Sequence, residues 1–286
     1  MKLAYHGATT MTSDLATDVK AAAAAGFSGV EIWCAKLDQY LKENSPADLK
    51  ALFADNGIAP AALSSIEFIA FRGDEYQMIK NRCHELCEIG AELSCPVLAL
   101  VPSPTPTSQA DDVLNLFYPW EDVVEEYVTV LRELNDIARS YGVRTAFEFL
   151  GFSWCSVRTP KGAMEIVERT AHDNVGITFD TCHFFTGGGE LSEIDTLDPT
   201  KISTLHINDL EDVPKEAITD GKRLMPGDGV IPLDDIFQRL KGIGFDGPVA
   251  VELFREEFWS LDPYEVARRA YETSMKALSP YFEISS

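Results

Sequence analysis

Four short apolar runs in the second half of the chain each carry one metal-type ligand. They are Ala146-Phe147-Glu148-Phe149-Leu150-Gly151, Val175-Gly176-Ile177-Thr178-Phe179-Asp180, Ile202-Ser203-Thr204-Leu205-His206-Ile207 and Pro248-Val249-Ala250-Val251-Glu252-Leu253-Phe254. Each reads as a buried strand with Glu148, Asp180, His206 or Glu252 at or near its far end. A carboxylate buried without a partner is costly, so charges placed this way call for a shared cation. A carboxylate at a strand end can also cap the following helix, which is the ordinary reading of any one of them. Four in succession, three carboxylates and one imidazole, argue for one divalent metal ion. The set suits Mn²⁺, Zn²⁺, Co²⁺ or Mg²⁺ without choosing sharply among them.

Two further polar residues belong to the same end of the chain's strands. His183 follows Asp180 by three residues and begins a loop, where it serves as a metal ligand or a substrate contact. Arg223 precedes the tight turn Pro226-Gly227-Asp228-Gly229. In so acidic a chain it is expected to orient a substrate oxygen or stabilise developing negative charge, a surface salt bridge being the alternative. His6, Trp33, Glu67, Phe152 and Trp154 also fall at or just beyond strand ends and are expected to shape a pocket. Trp33 and Trp154 offer apolar faces to the C–H side of a sugar ring, or pack at the rim.

The elements that must position these groups alternate throughout. Strands are expected at Lys2–Tyr5, Gly29–Trp33, Ile58–Leu63, Pro96–Val101 and Val143–Phe149, then ending at Asp180 and His206, and last at Pro248–Leu253. Between them lie helical patterns: one capped by Ser13-Asp14 and stopped at Gly26, others over 46–55, 75–93, to Tyr141, from Thr159-Pro160, 233–241 and 263–278, with a short turn at Leu191–Ile194. The central strands are continuous apolar runs, as parallel strands buried on both faces are. Eight such units point to an α/β (β/α)₈ TIM barrel in one domain over residues 1–286. An open doubly wound sheet loses ground because no G-x-G-x-x-G follows the first strand. The segment Pro102–Trp120, rich in Pro, Ser and Thr and ending in aromatics, reads as a lid over the site or as a dimer contact.

Composition excludes several classes of function. Twenty-four basic residues against 46 acidic ones give a formal charge of −22, a field that repels nucleic acid. No uninterrupted apolar run reaches the roughly 18 residues of a membrane span, and Met1–His6 looks like a first strand rather than a leader. Six cysteines show no C-x-x-C pair, which suits reduced thiols and a cytoplasmic protein. Cys83 and Cys87 fall at i, i+4 on a helix but find no further ligands nearby in the chain.

The set Phe147-Glu148-Phe149, Asp180-x-x-His183, Leu205-His206-Ile207 and Val251-Glu252-Leu253-Phe254 resembles the xylose-isomerase-like TIM barrels, a superfamily of sugar isomerases and epimerases. Within it the chain is similar to the inosose (2-keto-myo-inositol) isomerase branch. That likeness rests on Gly7-Ala8-Thr9-Thr10, Asp173-Asn174-Val175-Gly176, His206-Ile207-Asn208-Asp209 and Arg223-Leu224-Met225-Pro226-Gly227-Asp228-Gly229. The resemblance implies a divalent ion on Glu148, Asp180, His206 and Glu252, substrate contacts from His183 and Arg223, and Glu148 and Glu252 as the catalytic pair. Such a pair shifts a proton next to a ketone through a metal-chelated enediolate.

The function so implied is isomerisation or epimerisation of an unphosphorylated keto-polyol or keto-sugar, a small-molecule substrate in inositol or other carbohydrate metabolism. A lyase on the same scaffold, an inosose dehydratase or a 3-keto-glycoside-eliminating enzyme, begins with the same proton abstraction. A non-catalytic sugar-binding barrel is the alternative from another class. A multi-zinc endonuclease would need more than five histidines and a basic face. Homo-oligomer formation is left open.

Overall fold

Apolar runs separated by capped helices close here into a ring. The structure is a computed structural model that describes residues 1–106 and 118–285. Eight strands form the barrel: β1 (Leu3–His6), β2 (Gly29–Trp33), β3 (Ala59–Ile66), β4 (Val97–Leu100), β5 (Arg144–Glu148), β6 (Val175–Asp180), β7 (Ile202–Ile207) and β8 (Val249–Val251). Every neighbouring pair is parallel and follows chain order, and β8 closes on β1 through Leu3↔Val249, Ala4↔Ala250 and Tyr5↔Val251. Strands β1, β4, β6, β7 and β8 are buried at every position, the condition that their unbroken apolar runs anticipate.

The helices begin and end on recognisable side chains. Asp14 accepts from the Thr17 amide at 2.7 Å to open Leu15–Ala25, and Gly26 at φ 103° closes it in a left-handed conformation that a side chain would strain. Ser45 and Asp48 form a reciprocal capping box before Pro46–Asp55, and Thr159 caps Pro160–Thr170. Among the described residues no helix is long and apolar enough to cross a membrane.

Three local features differ from the sequence expectation. Strand β3 runs on to Ile66, because Ile66 still pairs with Leu100 after a register irregularity. A short helix, Thr181–Thr186, follows β6 directly, because the Asp180 side chain accepts from the His183 amide at 2.7 Å and caps it. The long connection after β7 is not a free loop. Asp209–Leu210 pairs antiparallel with Arg223–Leu224, and the Asp209 carboxylate gathers the amides of Gly227, Gly229 and Ile231 at 3.1, 2.9 and 2.9 Å. This fold-back carries Arg223 over the strand ends. The lid expected at Pro102–Trp120 falls for the most part on residues 107–117, which lie outside the described residues.

Candidate metal centre and active site

The four anticipated ligands converge because their strands are neighbours. Glu148 closes β5, Asp180 closes β6, His206 is the penultimate residue of β7 and Glu252 follows β8. Strand pairing sets Asp180 beside His206, and Ala250, two residues before Glu252, beside His206 from the other side. One ligand atom from each of the four lies within 4.8 Å of all the others, and all four residues are buried. Nδ1 of His206 stands 3.1 Å from Glu148 Oε1 and 3.4 Å from Glu252 Oε2.

The surroundings fix each group. Asp180 divides its oxygens: Oδ1 caps the next helix, while Oδ2 accepts from Asn208 Nδ2 at 2.8 Å and Arg223 Nη1 at 3.0 Å. The cap and the ligand site are therefore the same residue. Glu252 Oε2 accepts from Arg223 Nη1 at 2.6 Å, whereas Glu148 Oε2 takes no hydrogen bond from the described residues. Asn208 also accepts from the Thr181 hydroxyl and the Cys182 amide, tying β7 to the start of the helix after β6.

Charge in this cluster is out of balance. Glu31, Glu148, Asp180 and Glu252 are buried together with one guanidinium, Arg223. Burial pushes the Glu148 carboxyl up to about 8, with Glu252 adding to the shift and His206 opposing it. Burial opposes charge on His206, but Glu31, Glu252 and Glu148 outweigh it and raise its pKa well above the ordinary imidazole value. Glu252 is driven the other way: burial works against its ionisation, yet His206, His6 and Arg223 hold it well below the usual carboxylate range. A proton drawn onto His206 and another onto Glu148 mark where positive charge is wanted. A divalent cation among three carboxylates and an imidazole fits that demand.

Arg223 was expected to orient a substrate oxygen or stabilise developing negative charge; it lines the cavity, and its donors meet protein groups. Nε donates to Asp220 at 3.0 Å, Nη1 to Asp180 and Glu252, and Nη2 to Nε2 of His183 at 3.0 Å; Nη2 also pairs ionically with Asp220 at 2.8 Å. The guanidinium is 1% exposed, lies 5.3 Å from the Phe254 ring centre and is held by four hydrogen bonds and an ion pair with Asp220. Since His183 accepts at Nε2, its proton sits on Nδ1, which has no partner among the described residues. Burial lowers the His183 pKa and keeps the ring neutral.

His6 was also expected at the substrate; it is fully buried beside the cluster. Its Nδ1 accepts from the Ala8 amide at 3.1 Å, which leaves the proton on Nε2, 3.2 Å from Glu252 Oε1. Trp33 and Trp154 do reach the cavity, a space of about 190 Å³ bordered by Glu148, Glu252, His183 and Arg223. Trp33 meets the Phe254 ring edge-on at 5.7 Å, and Trp154 stacks on Phe152 at 5.6 Å. Glu67 and Asp220 line the same cavity; burial and then Asp220 raise the Glu67 pKa.

Sequence reasoning passed over Glu31, Asn208, Asp209, Asp220 and Phe254 as site residues. Glu31 carried the same signal as the four ligands, one carboxylate inside the apolar run Gly29-Val30-Glu31-Ile32-Trp33. Asp220 gave no signal, because only the fold-back of its loop brings it to Arg223.

The sequence model of the family described as a xylose isomerase-like TIM barrel matches residues 19–280. The inosose isomerase of Halalkalibacterium halodurans is 35% identical to this chain, covering 100% of it and 99% of that relative. The inosose isomerase of Bacillus licheniformis is 37% identical, covering 99% of this chain and 100% of its own. The solved structure of the IolI protein with a binding zinc atom superposes with a TM-score of 0.92 at 35% identity, covering 99% of this chain and 100% of that one.

Proposed function

The chain belongs to the xylose isomerase-like TIM barrel family, and from that premise we propose that it is a metal-dependent isomerase of an unphosphorylated keto-polyol, inosose first. The observation that carries this reading is the pair of buried glutamates. Glu148 and Glu252 both border the cavity, and both offer an oxygen to the four-residue cluster with Asp180 and His206. One divalent ion held by Glu148, Asp180, His206 and Glu252 would polarise a ketone and the neighbouring hydroxyl, acidifying the C–H between them.

The chain's own groups supply the rest. Glu148, with one oxygen free of protein donors, takes the proton from the carbinol carbon. Glu252 returns a proton to the former carbonyl carbon, or Glu148 does so itself while hydroxyl protons exchange. A C–H and a C=O thereby trade places, and no atom is gained or lost. Arg223 keeps Glu252 ionised and His183 turned so that its Nδ1–H is the free donor for a substrate oxygen. Trp33 and Trp154 cover the apolar side of the ring.

An uncharged polyol fits the wall opposite. Glu67 and Asp220 line the cavity as acceptors for hydroxyl donors, and Arg223, the one cation lining it among the described residues, is held by Asp180, Glu252, Asp220 and His183. A phosphate or carboxylate would find carboxylates where it needs donors. We take residues 1–286 as one barrel domain of a cytoplasmic enzyme. Six buried free thiols suit a reducing compartment, a net charge of −22 disfavours nucleic acid, and association with further copies is compatible with the site.

Proton NMR of inosose in D₂O with metal-loaded protein tests the reading. The expected result is a second inosose carrying deuterium at a ring carbon. A diketone formed by loss of water would make the protein a dehydratase, and inosose recovered unchanged, with neither a second isomer nor deuterium at a ring carbon, would overturn the enzyme reading.

A further inference from the structure

We propose that Glu31 is a positioning residue that fixes the tautomer of His206, so that Nδ1 is presented to the metal with its lone pair free. The inference rests on the metal-dependent reading above. Glu31 is 1% exposed, lies on β2 and belongs to none of the four ligand positions. Its Oε2 stands 3.1 Å from Nε2 of His206, across the barrel bore from its own strand. The other ring nitrogen, Nδ1, faces Glu148 Oε1 at 3.1 Å and Glu252 Oε2 at 3.4 Å.

As a metal ligand the imidazole is neutral, carries one proton and cannot donate on both sides. With the proton on Nδ1, the ring would donate to Glu148 and have no lone pair for an ion. With it on Nε2, the ring donates to Glu31 and Nδ1 is free. A carboxylate behind a ligand imidazole selects the second arrangement and raises the basicity of the ligand nitrogen.

His6 cannot take over this role. Its Nδ1 already accepts from the Ala8 amide, so its Nε2 carries the proton. That nitrogen lies 3.2 Å from Glu252 Oε1 and 3.8 Å from Glu31 Oε1 with no hydrogen bond among the described residues, and it can offer His206 no acceptor. Register places His6 and Glu31 side by side on β1 and β2. Glu31 is therefore the single acceptor the described residues offer to Nε2 of His206.

The test compares Zn²⁺ affinity, by competition with a chromogenic chelator, in the wild-type protein, Glu31→Gln and Glu31→Asp. It is joined to the ¹⁵N shifts of the His206 ring in wild-type metal-loaded protein. Glu31→Gln should bind Zn²⁺ about 10- to 100-fold more weakly. Glu31→Asp, which keeps the charge, should recover part of the loss, and the wild-type ring should show a protonated Nε2 with the metal on Nδ1. A purely structural Glu31 would lower thermal stability in the variants while leaving Zn²⁺ affinity within twofold, and that result overturns the inference. So does a wild-type ring ligating through Nε2, a readout that needs no variant to fold. If wild-type protein binds no divalent ion at all, the metal reading itself has failed.

Discussion

Asp18 and Lys36 form one buried charged cluster of this barrel, and Glu31, Glu148, Asp180 and Glu252 form another. In the first, one carboxylate meets one ammonium at 2.5 Å. Thr10 donates to Asp18 at 2.8 Å, Ser13 donates to it as well, and the Thr10 carbonyl accepts from Lys36 at 2.7 Å. Charge is matched inside the protein, and the cluster pins the turn Gly7–Thr10 after β1 onto the helices that follow β1 and β2. In the second, four carboxylates have one guanidinium beside them, which pairs with Asp180 and Glu252 and also with Asp220. Where buried charge only supports the fold, the chain supplies its own counter-ion; where the carboxylates exceed the cations, the missing charge comes from outside.

The largest effect that would break this contrast is on catalysis. Glu252→Gln should lower turnover of inosose by about 10²- to 10⁴-fold while the polyol still binds, measured by steady-state kinetics and by calorimetry. Unchanged turnover would remove Glu252 from the catalytic pair, and polyol binding without turnover in the wild-type protein would leave a sugar-binding barrel in place of an enzyme. Lys36→Met tests the balanced cluster. It strands Asp18 and should cost about 3–5 kcal/mol in urea unfolding of the metal-free protein, with Zn²⁺ affinity within twofold of wild type. A large change in affinity would mean that the two clusters are not separate.

The pH dependence of stability sharpens the contrast further. Glu148 ordinarily ionises near 4.5 and is raised to about 8 in the fold, so its contribution is fully present below about 4.5 and is lost as pH rises through about 8. Metal-free protein should therefore lose stability over that window, seen as a falling melting temperature. Saturating Zn²⁺ should remove the loss, because protons and metal compete for the same site. The smallest effect belongs to the cavity wall. Glu67→Gln should raise KM for inosose severalfold with kcat nearly unchanged, as expected when one neutral–charged hydrogen bond to a bound substrate is weakened.

Much of this was legible in the residues themselves. Strand positions follow from apolar runs and helix starts from caps such as Asp14, Ser45 and Thr159, all local signals. The four ligands were legible for the same reason: each sits at the end of its own run, and parallel strands in chain order bring such ends to one face. The types of ligand, the acidic balance and the barrel class were therefore set by the sequence alone.

What only the tertiary structure decided is which atoms of those residues remain available. Arg223 read as a loop arginine, orienting a substrate oxygen or making a surface salt bridge, and the ladder of Asp209–Leu210 with Arg223–Leu224 folds it onto Asp180, Glu252 and His183, which accept from it. His6 read as a residue at a strand end that shapes the pocket, and closure of β1 onto β8 is what sets it beside Glu252. Glu31 looked like any residue of β2, yet the width of the bore sets it opposite Nε2 of His206. Side-chain type is written one residue at a time; hydrogen-bond partners depend on distances that exist only once the ring has closed.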